Sequence, residues 1–105
     1  MSSPSERFEK SLTNDNLWIY ILNLLKKEKL YAYEINEKIE KRFGFYPGNM
    51  TAYIILKRLQ MEGYVKAART EKSSGPERKY YTITKRGETE LKKAKNIYAR
   101  MKNLI

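Results

Sequence analysis

The sequence predicts a mainly α-helical fold with one small antiparallel β-hairpin. Apolar residues recur at spacings of three and four in successive segments after residue 16, which is typical of amphipathic helices. Between residues 64 and 84 this period is lost, and two short β-rich runs flank a polar Gly-Pro break. A chain of 105 residues is enough for one domain with an appended dimerisation element.

Composition favours a polyanionic partner. The net charge is +10, from 22 basic and 12 acidic residues, and such an excess on a small chain is typical of nucleic-acid binding. A solvated cationic surface is the alternative. The absence of Cys and His excludes disulfides, thiolate nucleophiles, the usual zinc sites and His-based acid–base catalysis. We therefore expect no cofactor and no metal.

No segment of the sequence suggests a membrane. The N-terminus is polar and lacks an apolar signal core, and the longest apolar run, Leu17 to Leu25, is interrupted by Asn23. That run is too short to span a bilayer. A cytoplasmic location is expected by default.

The N-terminal part, residues 1–15, is expected to be an arm with one short helix. Met1 to Ser5 are predicted to be disordered, and residues 6–13 to be helical with Phe8 and Leu12 on one side. Asp15 is the expected N-cap of the next helix, Asn16 to Lys27. That helix has two apolar stripes: Trp18, Ile21, Leu22 and Leu25, and beside them Leu17, Tyr20 and Leu24. A helix so apolar is covered from several directions, here by its own core and by a partner chain.

A second helix is predicted from Tyr31 to Phe43, ended by Gly44. Its buried stripe comprises Ile35, Ile39 and Phe43. Three of its carboxylates could suggest a metal or acid–base site: Glu34, Glu37 and Glu40. Pairs four residues apart, such as Glu34–Lys38 and Glu37–Lys41, instead favour a solvated face.

A third helix is predicted in the stretch from Asn49 to Gly63. We expect the rest of the chain to hold this helix in position. Asn49 is expected to cap its first turn and Gly63 to end it in a left-handed conformation. Its inner, core-facing residues are Ala52, Ile55, Leu56 and Leu59. We interpret the outer face near the N-terminus as a surface that enters a DNA major groove.

A basic hairpin follows this helix. Its strands are predicted at Tyr64–Arg69 and Arg78–Thr84, and residues 63–83 carry five basic and two acidic side chains. Strand alternation places Val65 with Ala67 on one face, and Tyr81 with Ile83.

The last helix is predicted from Lys85 to about Asn103, with Thr84 as N-cap. Its apolar residues form a coiled-coil-like seam that favours pairing with a second copy over packing on its own domain. The predicted dimer interface comprises Phe8, Leu12, Leu17, Leu91, Ala94, Tyr98, Met101 and Ile105.

This order of elements predicts a winged helix-turn-helix DNA-binding domain at residues 16–84, with a C-terminal dimerisation helix at residues 85–105. Three segments stand out within this order: Tyr33-Glu34-Ile35, then Thr51-x-Tyr53-x-x-Leu56-Lys57-Arg58-Leu59, and the wing segment Gly75-Pro76-x-Arg78-Lys79-Tyr80-Tyr81-x-Ile83-Thr84-x-x-Gly87. In these segments the sequence resembles the PadR family of transcriptional regulators, in its short form with a single C-terminal helix. The chain departs from the family pattern at Ala32, Met50 and Ile54, where Gly, Gly and Pro are usual.

The resemblance implies a homodimeric regulator, usually a repressor, that binds a near-palindromic operator in double-stranded DNA and has no catalytic activity. It also implies that a small-molecule effector can act at the dimer interface. Trp18 and Tyr20 could line such an effector pocket, although a core aromatic is the favoured interpretation of Trp18.

The predicted DNA-binding residues fall into three groups. The groove-facing residues are Asn49, Met50, Thr51, Ile54 and Lys57, because Asn and Lys can hydrogen-bond base edges and apolar side chains can touch a thymine methyl. Residues expected at the phosphate backbone are Tyr33, Tyr53 and Arg58. In the wing, Lys72 and Arg78 are expected at phosphate or in the minor groove, with lesser roles for Lys66, Arg69 and Lys79.

Two other functions share this pattern. A sequence-tolerant architectural DNA-binding protein would have the same charge and fold, with little preference between duplexes. Winged helices also serve as protein-docking modules, but Lys57 and Arg58 on the outer helix face argue against an acidic or broadly apolar docking surface. An enzyme is not expected, because no nucleophile–base pair or phosphate-cradling loop is visible.

Overall fold

A computed structural model describes residues 2–71 and 77–105, and it confirms a mainly helical fold with a two-stranded antiparallel hairpin. The elements in chain order are α1 (Pro4–Leu12), a short 3-10 turn (Asn14–Asn16), α2 (Leu17–Lys27), α3 (Ala32–Phe43), α4 (Asn49–Met61), β1 (Val65–Glu71), β2 (Arg78–Ile83) and α5 (Lys85–Leu104).

Helix α2 lies at the centre of the molecule. It contacts α3, α4, β2 and α5, so its own chain covers it from several directions, and coverage by a partner chain stays a prediction. Its buried residues are Leu17, Ile21, Leu22, Leu24 and Leu25. The core continues through the inner faces of α3 and α4, with Ile35, Ile39, Leu56 and Leu59.

Glycines end α3 and follow α4 as predicted. Gly44 has φ +81° at the C-terminus of α3, and Gly63 has φ +85° two residues after α4 ends at Met61. A left-handed conformation carries little strain for glycine, which lacks Cβ. The N-cap of α4 is Gly48, so the prediction of Asn49 as N-cap is wrong, and Asn49 is the first helical residue.

The hairpin pairs β1 with β2 in antiparallel register, with an irregularity between Ala67 and Arg69. The extra residue in β1 breaks the alternation of that strand. In β2 two successive residues are buried by different neighbours: Tyr81 packs in the core, and Tyr80 packs against Tyr31 and Arg69. A separate bridge ties β2 to the start of α3: the Leu30 and Tyr81 backbones exchange hydrogen bonds of 3.2 and 2.8 Å. The predicted first strand was too short, because β1 continues to Glu71.

Two predictions about the N-terminal arm are wrong. Pro4 and Ser5 are helical, because Ser3 caps α1 and Glu6 accepts a hydrogen bond from the Ser3 N–H at 2.9 Å, a reciprocal capping box. Asp15 lies in the 3-10 turn and does not cap α2, whose N-cap residue is Asn16. Asp15 instead forms an ion pair with Lys10 at 3.3 Å.

The first and second halves of α5 have different surroundings. Thr84 caps the helix as predicted, accepting a hydrogen bond from the Gly87 N–H at 3.0 Å. Leu91 packs in the core on α2 and Ala94 is half-buried, whereas the large apolar residues from Ile97 onward are exposed. Leu17 and Leu91 were both predicted in the dimer interface. The structure corrects this, because each is only 2% exposed and belongs to the core of its own chain.

Among the described residues, no helix is long and apolar enough to cross a membrane. Within the same residues, no group of three His, Cys, Asp or Glu side chains could hold a metal ion.

Gly87 marks the tightest backbone approach between α5 and the hairpin. A Cβ on this residue would lie 2.1 Å from the Tyr64 carbonyl oxygen and 2.8 Å from Ile83 Cγ1. We therefore expect Gly87→Ala to lower the free energy of unfolding by about 3 kcal/mol, since overpacking here must displace backbone. Urea unfolding measures this change. The matched control is Thr89→Ala on an exposed turn of the same helix, which should change the free energy by less than about 0.5 kcal/mol. Equal stability of the two variants would contradict the close approach.

Candidate nucleic-acid interface

Helix α4 buries one face and exposes the other. Ala52, Leu56 and Leu59 are buried against the core, which fixes the helix on α2 and α3. The outward residues are Met50, Thr51, Tyr53, Ile54 and Arg58, all exposed. Met50 is 72% exposed and Ile54 48%. Side chains of this size on a protruding helix can reach base edges in a DNA groove.

Lys57 lies at the joint between α4 and the hairpin, and it is less outward than the sequence predicted. Its Nζ is 5.6 Å from the ring centre of Tyr53 and 5.8 Å from that of Tyr81. Hydrogen bonding to Tyr81 is the main reason that the pKa of Lys57 is raised, and partial desolvation opposes it. Lys57 therefore keeps its positive charge at neutral pH, on the side of α4 that faces the wing.

The hairpin arginines lie on tyrosine rings. Arg69 stacks over Tyr80 at 4.3 Å, and Arg78 over Tyr31 at 5.1 Å. The two rings meet edge to face, with centroids 5.3 Å apart. Both guanidinium groups are thus held in place while their side chains stay exposed. Arg69 also lies 3.9 Å from Glu71, a contact that is weak at an exposed position.

A groove of about 390 Å³ separates α4 from the wing. It is bordered by three cations, one carboxylate and several tyrosines: Tyr31, Ala32, Tyr53, Lys57, Glu77, Arg78, Lys79 and Tyr81. Cations beside hydroxyl groups are the donors that proteins commonly offer to a phosphate backbone.

A small polar network joins α3 to the start of α4. The Asn36 Nδ2 donates to Asn49 Oδ1 at 2.5 Å, and the Tyr46 hydroxyl donates to the same oxygen at 3.2 Å. Asn36 is buried, whereas Asn49 and Tyr46 are exposed. Asn49 was predicted to face DNA, and the structure shows that its side-chain oxygen is engaged within the protein.

The remaining predicted DNA-binding residues are spread around α4. Tyr33 is exposed on α3, Arg58 on α4, and Lys66, Arg69 and Lys79 on the hairpin. Lys72 lies outside the described residues, as does the Gly75-Pro76 pair.

The structure separates the two aromatics proposed for an effector pocket. Trp18 borders a hollow of about 290 Å³ together with Arg58 of α4 and Glu62, the residue that follows α4. Tyr20 lines a second, more apolar hollow of about 380 Å³ that also includes Leu12, Ala94 and Tyr98. Burial is the main reason that the pKa of Tyr20 is raised, with a smaller contribution from Tyr98. Tyr20 thus lies beside Leu12, Ala94 and Tyr98, three residues predicted for the dimer interface.

An apolar surface runs along α1 and the second half of α5. Its exposed side chains are Phe8, Leu12, Ile97, Tyr98, Met101, Leu104 and Ile105. Leu12 of α1 and Tyr98 of α5 border the same hollow, and a group of exposed apolar side chains is typical of a protein–protein contact.

Three residues of this interface were missed by the sequence analysis. Tyr31 was expected only to begin a helix, Asn36 lies beside the apolar stripe of α3, and Tyr46 was placed in a turn. For Asn36 the sequence contained one indication, its position beside Ile35 and Ile39 on the apolar side of α3. A polar side chain that is buried there usually has a hydrogen-bond partner.

Comparison with known proteins agrees with this architecture. The profile of the "Transcriptional regulator PadR-like family" matches residues 21–93. No functionally curated protein matches the chain.

Several solved structures are similar over most of the chain. A PadR family transcription regulator from Clostridium difficile is 31% identical, with a TM-score of 0.73 and coverage of 83% of this chain and 91% of that one. A PadR-like transcriptional regulator from Bacillus cereus is 30% identical, with a TM-score of 0.74 and coverage of 90% and 91%. Bacillus subtilis PadR in complex with operator DNA is 31% identical, with a TM-score of 0.69 over 77% of this chain and 47% of that one.

The position of Lys57 yields a spectroscopic prediction. Tyr81→Phe removes the hydroxyl that is the main cause of its raised pKa, so the pKa of Lys57 should fall. An NMR titration of the Lys57 side chain measures this directly. The matched control is Tyr53→Phe, because the Tyr53 ring lies at a similar distance but makes a smaller contribution. An equal fall in both variants, or none in Tyr81→Phe, would contradict the assigned hydrogen bond.

Proposed function

The chain belongs to the family of PadR-like transcriptional regulators, and from this premise we propose that it is a homodimeric, sequence-specific repressor that binds double-stranded DNA. Family membership confirms the predicted resemblance and the winged-helix fold. It also identifies the protein as a transcriptional regulator and not an enzyme.

One observation carries the proposal: the exposed face of α4 lies directly beside a groove bordered by Lys57, Arg78 and Lys79. A protruding helix next to fixed cations matches the major groove and the adjacent phosphates of one duplex. The complex of Bacillus subtilis PadR with operator DNA supports DNA as the ligand of the fold.

Within this proposal α4 enters the major groove. Met50, Thr51 and Ile54 are outermost and exposed, so they contact base edges and thymine methyl groups. Tyr33, Tyr53 and the cations around them contact phosphates and fix the position of the helix. Lys57 lies between the residues that contact bases and those that contact phosphates, and it binds the phosphate backbone nearest the hairpin.

The apolar surface of α1 and α5 is proposed to pair with its copy. Its side chains are exposed in a single chain, and Ile105 is 96% exposed. A two-fold axis through this surface would place two α4 helices in successive major grooves, about 34 Å apart. A near-palindromic operator follows from that symmetry.

The hollow around Tyr20 is the proposed effector site. It is bordered by Leu12, Phe43 and Tyr98, and it adjoins the proposed dimer contact. A small apolar molecule bound there would change how the two chains pack, and so the spacing of their α4 helices.

Selection of duplexes from random DNA, followed by fluorescence anisotropy across a salt series, tests the function. The selected site should be a near-palindrome bound at least about 10³-fold more tightly than scrambled DNA. Similar affinity for every duplex, with a steep salt slope, would indicate an architectural protein. No binding at low salt would leave the protein-docking alternative.

Two variants should separate base recognition from phosphate contact. Ile54→Ala should relax the preference at one base position by about 1 kcal/mol while binding of scrambled DNA is unchanged. Arg78→Gln should weaken binding to all duplexes alike and reduce the magnitude of the salt slope by about 1. Both are measured on the selected site and its single-base variants. Similar profiles for the two variants would contradict the division of roles.

Dimerisation is tested by a single charge on the apolar surface. Met101→Glu should raise the dimer dissociation constant at least about tenfold, because the carboxylate must be desolvated in the contact. Sedimentation equilibrium measures the constant. The control is Asn103→Glu, two residues along α5 and so on roughly the opposite side of the helix. Equal effects of the two variants would place the dimer contact elsewhere.

A further inference from the structure

Asn36 is a polar side chain at a position where an apolar one would be expected. It is 1% exposed, on the inner side of α3 near Ile35 and Ile39. Among the described residues its Oδ1 has no hydrogen-bond partner. Leaving a buried acceptor unpaired costs free energy that an apolar side chain of the same size avoids. Stability of the fold therefore does not account for Asn36.

The one hydrogen bond of Asn36 reaches the helix proposed to read DNA. Its Nδ2 donates to Asn49 Oδ1 at 2.5 Å, across the junction between α3 and the first turn of α4. The Tyr46 hydroxyl donates to the same oxygen at 3.2 Å. A carbonyl oxygen accepts about two hydrogen bonds, so the acceptor capacity of Asn49 is used within the protein.

The amide group of Asn49 is then left with donors only. None of the hydrogen bonds among the described residues engages its Nδ2, and the residue is exposed. Recognition of adenine by Asn normally needs both atoms of the amide, one accepting from N6 and one donating to N7. A donor alone fits an acceptor: guanine O6 or N7, thymine O4, or a phosphate oxygen.

We propose that Asn36 is a positioning residue for DNA recognition, which holds the side-chain oxygen of Asn49 so that only the Asn49 NH₂ group faces DNA. The inference rests on the proposed function, because it requires the start of α4 to face the major groove. It adds a buried specificity determinant that does not itself touch DNA.

The test uses the full chain and the duplex selected for the wild-type protein, together with its single-base variants. Asn49→Ala first identifies the base pair whose preference depends on the Asn49 side chain. Asn36→Leu should then reduce the preference at that base pair by about tenfold, with unchanged affinity for scrambled DNA. Its unfolding temperature should equal or exceed that of the wild type, since no buried acceptor remains unpaired.

The double variant shows whether Asn36 acts through Asn49. If it does, Asn36→Leu with Asn49→Ala should lose no more preference than Asn49→Ala alone. The proposal would be overturned if the loss of base preference in the double variant equalled the product of the losses in the two single variants. It would also be overturned if Asn49→Ala changed no base preference, or if Asn36→Leu weakened selected and scrambled DNA equally.

Two further variants separate a loss of stability from a loss of the hydrogen bonds to Asn49. Ile39→Val removes one buried carbon from the same helix, so it should lower the unfolding temperature without changing base preference. Tyr46→Phe deletes the second donor to Asn49 at an exposed position where folding is not at risk. It should reduce preference at the same base pair by a smaller factor than Asn36→Leu. Failure of the proposed function itself is distinguishable, because the wild-type protein would then select no sequence.

Discussion

Helix α2 packs its buried apolar side chains against α3, α4, β2 and α5, and the positions of those elements follow from that contact. Five of its leucine and isoleucine side chains are buried. At about 1.5–3 kcal/mol each, their burial is comparable with the whole stability of a small domain, about 5–15 kcal/mol. Helix α4 and the hairpin therefore both pack against α2, which fixes their positions relative to each other.

Much of this architecture could be predicted from the sequence because the determinants are local. Helix periodicity, the terminating Gly44 and the Thr84 cap depend on residues within one or two turns. The same local chemistry was available in Ser3 and Glu6, whose capping box makes α1 begin at Pro4. That box was overlooked because a polar N-terminal segment suggests disorder.

The parts that could not be predicted depend on contacts distant in sequence. Periodicity places Leu17 and Leu91 on an apolar face but does not say whether the same chain or a partner covers it. Asn36 meets Asn49 across 13 residues, so its role is visible only once α3 and α4 are packed. Lys57 was assigned to the outer face of its helix, but the hairpin folds back beside it.

Tyrosine rings hold two arginine side chains of the hairpin in place. Stacking of Arg69 and Arg78 on tyrosines restricts long side chains that would otherwise be mobile at the surface. Ordering such a side chain on binding costs about 0.5–1.5 kcal/mol, and part of that cost is already met in the free protein. The nine tyrosines of the chain thus shape its surface as much as its core.

The irregular register of the hairpin has a consequence for behaviour at high concentration. A two-stranded sheet leaves backbone groups at its edges available to other chains, which is a common route to aggregation. Here the bridge from Leu30 covers part of β2, and the bulge between Ala67 and Arg69 distorts β1. Lys66 and Arg69 would repel the same strand of another molecule. A variant that neutralises these cations therefore loses protection against precipitation.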